Sequence, residues 1–136
     1  MKTNLKVAEV MLSTDAFPVL NSSAFLKEAL NSMNEFGLGI ACIVSLEDKS
    51  LEGVITDGDL RRRLLKVQKP FSALLVDDAL SHAIKKPITV TPECSLREAV
   101  EMMDNRKIWD LPVISDAKLV GLLHLHPAID ALLNSK

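Results

Sequence analysis

Internal repetition constrains this chain most. Leu26-Lys27-Glu28-Ala29-Leu30 returns as Leu96-Arg97-Glu98-Ala99-Val100, and Met33 meets Met103 at the same spacing. The apolar run Ala41-Cys42-Ile43-Val44 falls on Leu111-Pro112-Val113-Ile114, and Leu51-Glu52-Gly53-Val54-Ile55 on Leu119-Val120-Gly121-Leu122-Leu123. Upstream, Val7-Ala8-Glu9-Val10-Met11 is similar to Val76-Asp77-Asp78-Ala79-Leu80. Two copies of one unit, each roughly 60 to 70 residues long, therefore share 136 residues. Neither copy buries a sheet face well alone at that size. The repeat predicts an α+β fold of two β-α-β-β-α units packed sheet to sheet with pseudo-two-fold symmetry.

The elements of each copy follow from pattern. Segments at Phe17–Leu20 and Ile88–Thr91 are apolar or β-branched beside proline, as short edge strands are. Leu26, Leu30 and Met33, like Leu96, Val100 and Met103, have helical spacing. Ser95 and Glu98 fit the S-x-x-E capping box, in which each residue satisfies a stray backbone donor of the other. The unbroken apolar runs Ile40–Val44 and Glu52–Thr56 read as buried strands parted by Glu47-Asp48-Lys49-Ser50; Ser115-Asp116-Ala117-Lys118 makes the matching turn. Closing helices are expected at Leu60–Lys66 and Ala128–Asn134, and a linker at Gln68–Leu75 around Pro70. The copies divide at 1–68, with an N-terminal lead-in, and 69–136.

Composition narrows the function. Aromatic residues are only 4%, which suits a core of small branched side chains. A net charge of −2 offers no basic field for nucleic acid, and no apolar run reaches the ~18 residues of a membrane span. Met1-Lys2-Thr3-Asn4 lacks the apolar stretch of a signal peptide, so a cytoplasmic setting is expected. Cys42 and Cys94 are too far apart in sequence for a clustered metal site, and both read as structural thiols. No P-loop, G-x-G-x-x-G, H-E-x-x-H or Ser-His-Asp order is present. The chain is expected to carry no catalytic set.

The candidate chemistry lies in Thr56-Asp57-Gly58-Asp59-Leu60-Arg61-Arg62-Arg63. A carboxylate at a strand-to-helix exit accepts hydrogen bonds from two adjacent hydroxyls, and Thr56 adds a hydroxyl. Gly58 permits close backbone approach and an unusual φ. The helix start and Arg61, Arg62 and Arg63 favour an anion. The same D-G-D also suits a turn and a helix cap, and the arginines a solvated face. In the second copy His124 and Pro127 stand where Thr56 and Asp59 do; proline brings neither carboxylate nor N–H. His124 and His126, two apart on a strand, would share a face as phosphate-contacting histidines. No carboxylate or thiolate at ligand spacing joins them, so no metal is expected. Trp109 stacks on a base or covers an interface. His82 has no partner visible in sequence and reads as a surface residue.

Gly53-Val54-Ile55-Thr56-Asp57-Gly58-Asp59, followed by Leu119-Val120-Gly121-Leu122-Leu123-His124-Leu125-His126, resembles a tandem pair of CBS domains, a Bateman module. The T-D-G-D-L-R-R segment, the later L-H-L-H and Gly37-Leu38-Gly39 further resemble the regulatory C-terminal region of arabinose-5-phosphate isomerases, of the Kdo branch of lipopolysaccharide synthesis. A similar T-D-G-D occurs in the CBS pairs of sugar nucleotidyltransferases. The resemblance implies a regulatory module binding a small anionic ligand: AMP, ADP, ATP or a CMP-sugar, with no cofactor required. It nominates Thr56 and Asp59 for the ribose-phosphate, and Ile88, Thr89 and Thr91 for one wall of the site, with Val19 and Leu20 for the other. It also implies a homodimer through the helices and a sugar-isomerase domain as the regulated neighbour. The alternative reading is an assembly module that binds no ligand.

Overall fold

A computed structural model describes residues 4–134. Met1, Lys2 and Thr3, part of the stretch read above for a leader, lie outside the described residues, as do Ser135 and Lys136. The chain forms two compact units, one of Asp15–Pro87 and the other of the residues up to Thr14 with those from Ile88 onward.

In the unit Asp15–Pro87, β1 (Val19–Asn21) runs parallel to β2 (Ile40–Val44), which pairs antiparallel with β3 (Leu51–Thr56). Helix α1 (Leu26–Phe36) joins β1 to β2 and ends at Gly37, whose φ of 67° is the left-handed conformation glycine adopts at little cost. Every residue of β2 is buried, which explains its unbroken apolar run. Helix α2 spans Asp57–Lys66, three residues earlier than the pattern predicts, because Thr56 caps it. The expected linker Gln68–Leu75 holds a short helix, α3 (Phe71–Leu74), with Leu74 buried, and belongs to this unit. Leu26, Ala29, Met33, Ile55, Leu74 and Ala79 form its aliphatic cluster.

The other unit repeats the plan. Helix α4 (Leu96–Arg106) begins at Ser95, whose hydroxyl accepts the Glu98 N–H at 3.1 Å. In α1 the reciprocal half of the box appears: the Glu28 carboxylate accepts the Phe25 N–H at 3.2 Å. Strands β4 (Asp110–Ser115) and β5 (Lys118–His124) form a hairpin, and α5 (Leu125–Asn134) follows. The edge strand expected at Ile88–Thr91 shrinks to a single parallel bridge, Val90 to Val113, between Pro87 and Pro92, which have no N–H to give a ladder. Val7, Val90, Leu96, Met103, Leu111 and Leu123 are among its buried cluster. Of the five aromatic residues only Phe17 is buried, in keeping with aliphatic cores.

The compact units cut the chain differently from a division at 68 and 69. The Val7 N–H bonds the Cys94 carbonyl (2.9 Å), the Leu96 N–H bonds Leu5 (2.8 Å), and Leu12 and Leu122 exchange both backbone bonds at 2.8 and 3.0 Å. In the unit Asp15–Pro87 the same bonds run from Ala79 to Ala24, from Leu26 to Asp77, and between Val54 and Ile84. Val7 is therefore the counterpart of Ala79, three positions away from the alignment that places it on Val76. In this register Val10 and Met11 stand against His82 and Ala83, not against Ala79 and Leu80. Gly53 and Gly121 have matching tasks: a Cβ on Gly53 would lie 3.0 Å from the Ala83 Cβ and 3.1 Å from the Ile84 carbonyl, and one on Gly121 2.9 Å from the Leu12 carbonyl. Both glycines let the crossing segment lie on the last strand.

Candidate functional site

The Thr56–Asp59 cluster forms where β3 runs into α2. Thr56 has extended backbone, and its Oγ1 accepts the Asp59 N–H at 3.1 Å, the ordinary threonine N-cap. The same hydroxyl donates to Asp59 Oδ2 at 2.8 Å, and Arg62 Nη2 donates to Asp59 Oδ1 at 2.7 Å. The Asp57 N–H is taken by the Gly39 carbonyl at 3.0 Å. A Cβ on Gly39 would meet Asp57 Oδ2 at 2.7 Å, so glycine there makes room for that carboxylate. Two donors at the helix start are therefore engaged internally, which makes the N-terminus of α2 a poorer anion cradle than the sequence suggests. What it presents is a partly exposed carboxylate with a threonine hydroxyl and a guanidinium: Asp59 is 22% exposed and Arg62 60%. Such a group can exchange the Arg62 bond for a hydroxyl pair of a ligand.

Several residues differ from expectation. Gly58 lies inside the first turn of α2 and has no left-handed φ; Gly37 is the described glycine that does. A Cβ at Gly58 would come within 3.3 Å of the Arg62 guanidinium, so close approach, not an unusual φ, is its contribution. Arg61 is exposed on α2, whereas Arg63 is drawn into other bonds: its Nε donates to His82 Nδ1 at 3.0 Å and its Nη2 reaches the Ser81 carbonyl at 3.5 Å. His82 is no surface residue. Its ring is 5% exposed, and Nε2 meets Asp77 Oδ2 at 2.8 Å, while Lys69 Nζ holds Asp77 Oδ1 at 2.8 Å. Lys69 and then His82 hold the Asp77 carboxyl below the usual carboxylate range.

In the other unit β5 ends at His124, and His126 is exposed in the first turn of α5. The two histidines therefore do not alternate along a strand. Pro127 sits in that first helical turn, where a missing N–H is harmless. His124 Nδ1 lies 2.7 Å from Asp110 Oδ1, and the Asp110 side chain is 8% exposed. An ionised carboxylate only accepts, so Nδ1 carries the hydrogen. The two residues face each other in the β4–β5 register only because the ladder shifts by one between Val113 and Ile114; counting straight outward from the Ser115–Lys118 turn would set Asp110 opposite Leu123. Ile88 and Thr89 are partly buried and Thr91 is exposed, all in this unit, as is Trp109, 69% exposed, whose carbonyl accepts the Leu125 N–H. Burial of Cys94, with Glu98 nearby, pushes its thiol up, so it stays protonated at neutral pH. Among the described residues no three His, Cys, Asp or Glu side chains are grouped to hold a metal.

The CBS domain family model matches residues 7–66 and 74–132. The chain belongs to the CBS domain family. The two CBS repeats occupy nearly the whole chain, and no catalytic domain lies within it. The pair is 34% identical over 132 residues to an uncharacterized protein of Helicobacter pylori, covering 95% of this chain and 38% of that protein. It is 30% identical over 130 residues to the arabinose 5-phosphate isomerase KdsD of Escherichia coli, covering 96% of this chain and 38% of the isomerase. The chain thus spans little more than a third of the length of the curated relatives it matches. Among solved structures, the CBS pair superimposes on CBSX2 in complex with AMP with a TM-score of 0.81 at 24% identity, covering 95% and 96% of the two chains. A CBS domain-containing protein of Bacillus anthracis gives 0.83 at 16%, covering 98% and 97%. These likenesses establish the fold of the CBS pair. None of its described helices is long and apolar enough to cross a membrane.

Proposed function

We propose that this CBS pair is a regulatory module that binds a nucleotide or nucleotide-sugar through Thr56 and Asp59 and modulates an attached or partner sugar-phosphate isomerase. The observation that carries the reading is the Asp59 carboxylate, held at the β3–α2 junction by Thr56 and partly exposed. A relative of the same fold is a complex with AMP, and KdsD, at 30% identity over this region, is an arabinose 5-phosphate isomerase. A carboxylate accepting two hydroxyls suits a ribose diol, and Arg61 and Arg62 suit a phosphate. Ile88, Thr89, Thr91, His124 and His126 remain candidate contacts of the same module, and AMP, ADP, ATP and a CMP-sugar the candidate ligands.

Thermal-shift and calorimetric titration of the chain with those ligands and arabinose 5-phosphate tests the reading. A ligand at 100 times its Kd stabilises by about 2.7 kcal/mol. One member is expected to do so in the unaltered protein and to lose the effect in Asp59→Ala. Silence of every ligand, or an undiminished shift in Asp59→Ala, overturns it. A second reading, assembly through the helices, draws on the exposed Leu64 and Leu65 of α2 and Ile129 and Leu133 of α5. A ligand-independent dimer in light scattering, lost in Leu65→Glu, supports that reading instead.

A further inference from the structure

The two units close the same junction with different chemistry. His82 lies three positions beyond Ala79, as Val10 lies three beyond Val7. Asp77 is the counterpart of Leu5 by their bonds to Leu26 and Leu96. Arg63 is six positions into α2, as Ala131 is six into α5, the two helices aligned by the bonds of Asp57 to Gly39 and of Leu125 to Trp109. One unit thus packs Leu5, Val10 and Ala131 against its core cluster where the other carries Asp77, His82 and Arg63. The apolar version shows that the fold does not require charge here. Of the polar set only the His82 side chain, at 5% exposed, is withdrawn from water, and the apolar counterpart Val10 fills that place without it, so the polar set calls for an explanation other than folding.

Its hydrogen bonds have one consistent proton arrangement. A guanidinium only donates, so His82 Nδ1, 3.0 Å from Arg63 Nε, must present its lone pair. The hydrogen is then on Nε2 and is given to Asp77 Oδ2 at 2.8 Å. Protonating Nδ1 puts an N–H against an N–H and a cation against a cation, which ends the Arg63 bond. The imidazolium keeps its bond to Asp77. The charged groups on this ring are Arg63 from α2 and Asp77, with Lys69 on the other Asp77 oxygen; Asp78 adjoins the same turn. From α1 and β3 the residues of the shared cluster are apolar: Leu26, Ala29, Met33 and Ile55.

We propose that Arg63, His82 and Asp77 form a proton-operated latch that ties α2 to the turn Ala79–His82 while His82 is neutral and frees the Arg63 guanidinium when His82 is protonated. Imidazole is the side chain that ordinarily titrates between about pH 5 and 8. The device needs no ligand. Opening it adds a mobile cation to α2, next in sequence to the Arg62 that holds Asp59.

Nitrogen-15 NMR of the unaltered chain between pH 8 and 5 tests the latch. At pH 8 the two-bond correlations of His82 are expected to show the Nε2–H tautomer, and the Arg63 Nε–H resonance to lie downfield in its hydrogen-bonded position. On acidification that resonance moves fully to the free-guanidinium position, with the midpoint of the His82 ring titration itself. A variant carrying the apolar set of the other unit, Asp77→Leu with His82→Val and Arg63→Ala, is expected to fold and to lose the pH response of the α2 amides from Leu64 to Lys66. An Nδ1–H tautomer at pH 8, an Arg63 resonance that ignores the ring titration, or an α2 response retained in the variant overturns the proposal. The first two readouts need no substitution, so they decide it even where the variant is unstable.

Discussion

At the scale of single residues, position in a hydrogen-bond network decides more than residue type. Three consecutive exposed arginines look like one cationic patch, yet Arg62 is bound to Asp59, and Arg63 to His82 and Ser81. Asp77 shows the consequence for pH. Lys69 and His82 hold its carboxyl below the ordinary aspartate value of about 3.9. A lowered native pKa contributes stability that is complete above the unfolded-state value and is lost as pH falls through the native one. Asp77→Asn is therefore expected to flatten the acid limb of a melting-temperature profile below about pH 4 while altering its slope less above it. An unchanged acid limb in differential scanning fluorimetry counts against the network as drawn. None of this was legible in sequence, because Arg63 and His82 are 19 residues apart and no spacing rule connects a helix to the turn it meets.

At the scale of elements, patterns with a fixed period carried over into structure, and boundaries set by single caps did not. The buried strand Ile40–Val44 and the helix at Leu26 were legible because burial imposes unbroken apolar runs and period-3.6 faces. The early start of α2 was not, since D-G-D reads as a turn until the Thr56 hydroxyl is seen to cap it. The same shift puts Gly58 in a helix and His126 off the strand, so the Thr56–Asp59 pairing was legible while the flanking geometry was not. Gly53 and Gly121 were visible as a repeated letter without a reason; the crossing segments supply it. Gly121→Ala puts a methyl 2.9 Å from the Leu12 carbonyl, a backbone atom that cannot swing aside. Overpacking of this kind is expected to destabilise by about 1–3 kcal/mol in urea unfolding. A loss below a few tenths of that would show the N-terminal segment to be loosely seated.

At the scale of the whole chain, the repeat and the compact unit are different objects. The family repeats run 7–66 and 74–132, but the 3-10 turn at Val7–Glu9 belongs with the second of them by hydrogen bonds and burial. Chain order alone cannot reveal this, because the segments at Val7 and Ala79 occupy the same place in each unit and either could have served its own repeat. The arrangement has a testable signature. Deleting residues 1–12 removes Val7, which is fully buried, together with the Leu12–Leu122 and Leu5–Leu96 backbone bonds. Burial of a valine is worth about 1.5–3 kcal/mol and each hydrogen bond about 1 kcal/mol. A local loss of about 3 kcal/mol lowers amide protection by roughly a hundredfold, at 1.4 kcal/mol per decade. Hydrogen exchange is therefore expected to quicken at Leu96 and Leu122, in the second repeat, while Leu26 and Ile84 in the first keep their protection. The reverse pattern, with the first repeat loosened by loss of its own sequence neighbour, would assign the N-terminal segment to the first repeat.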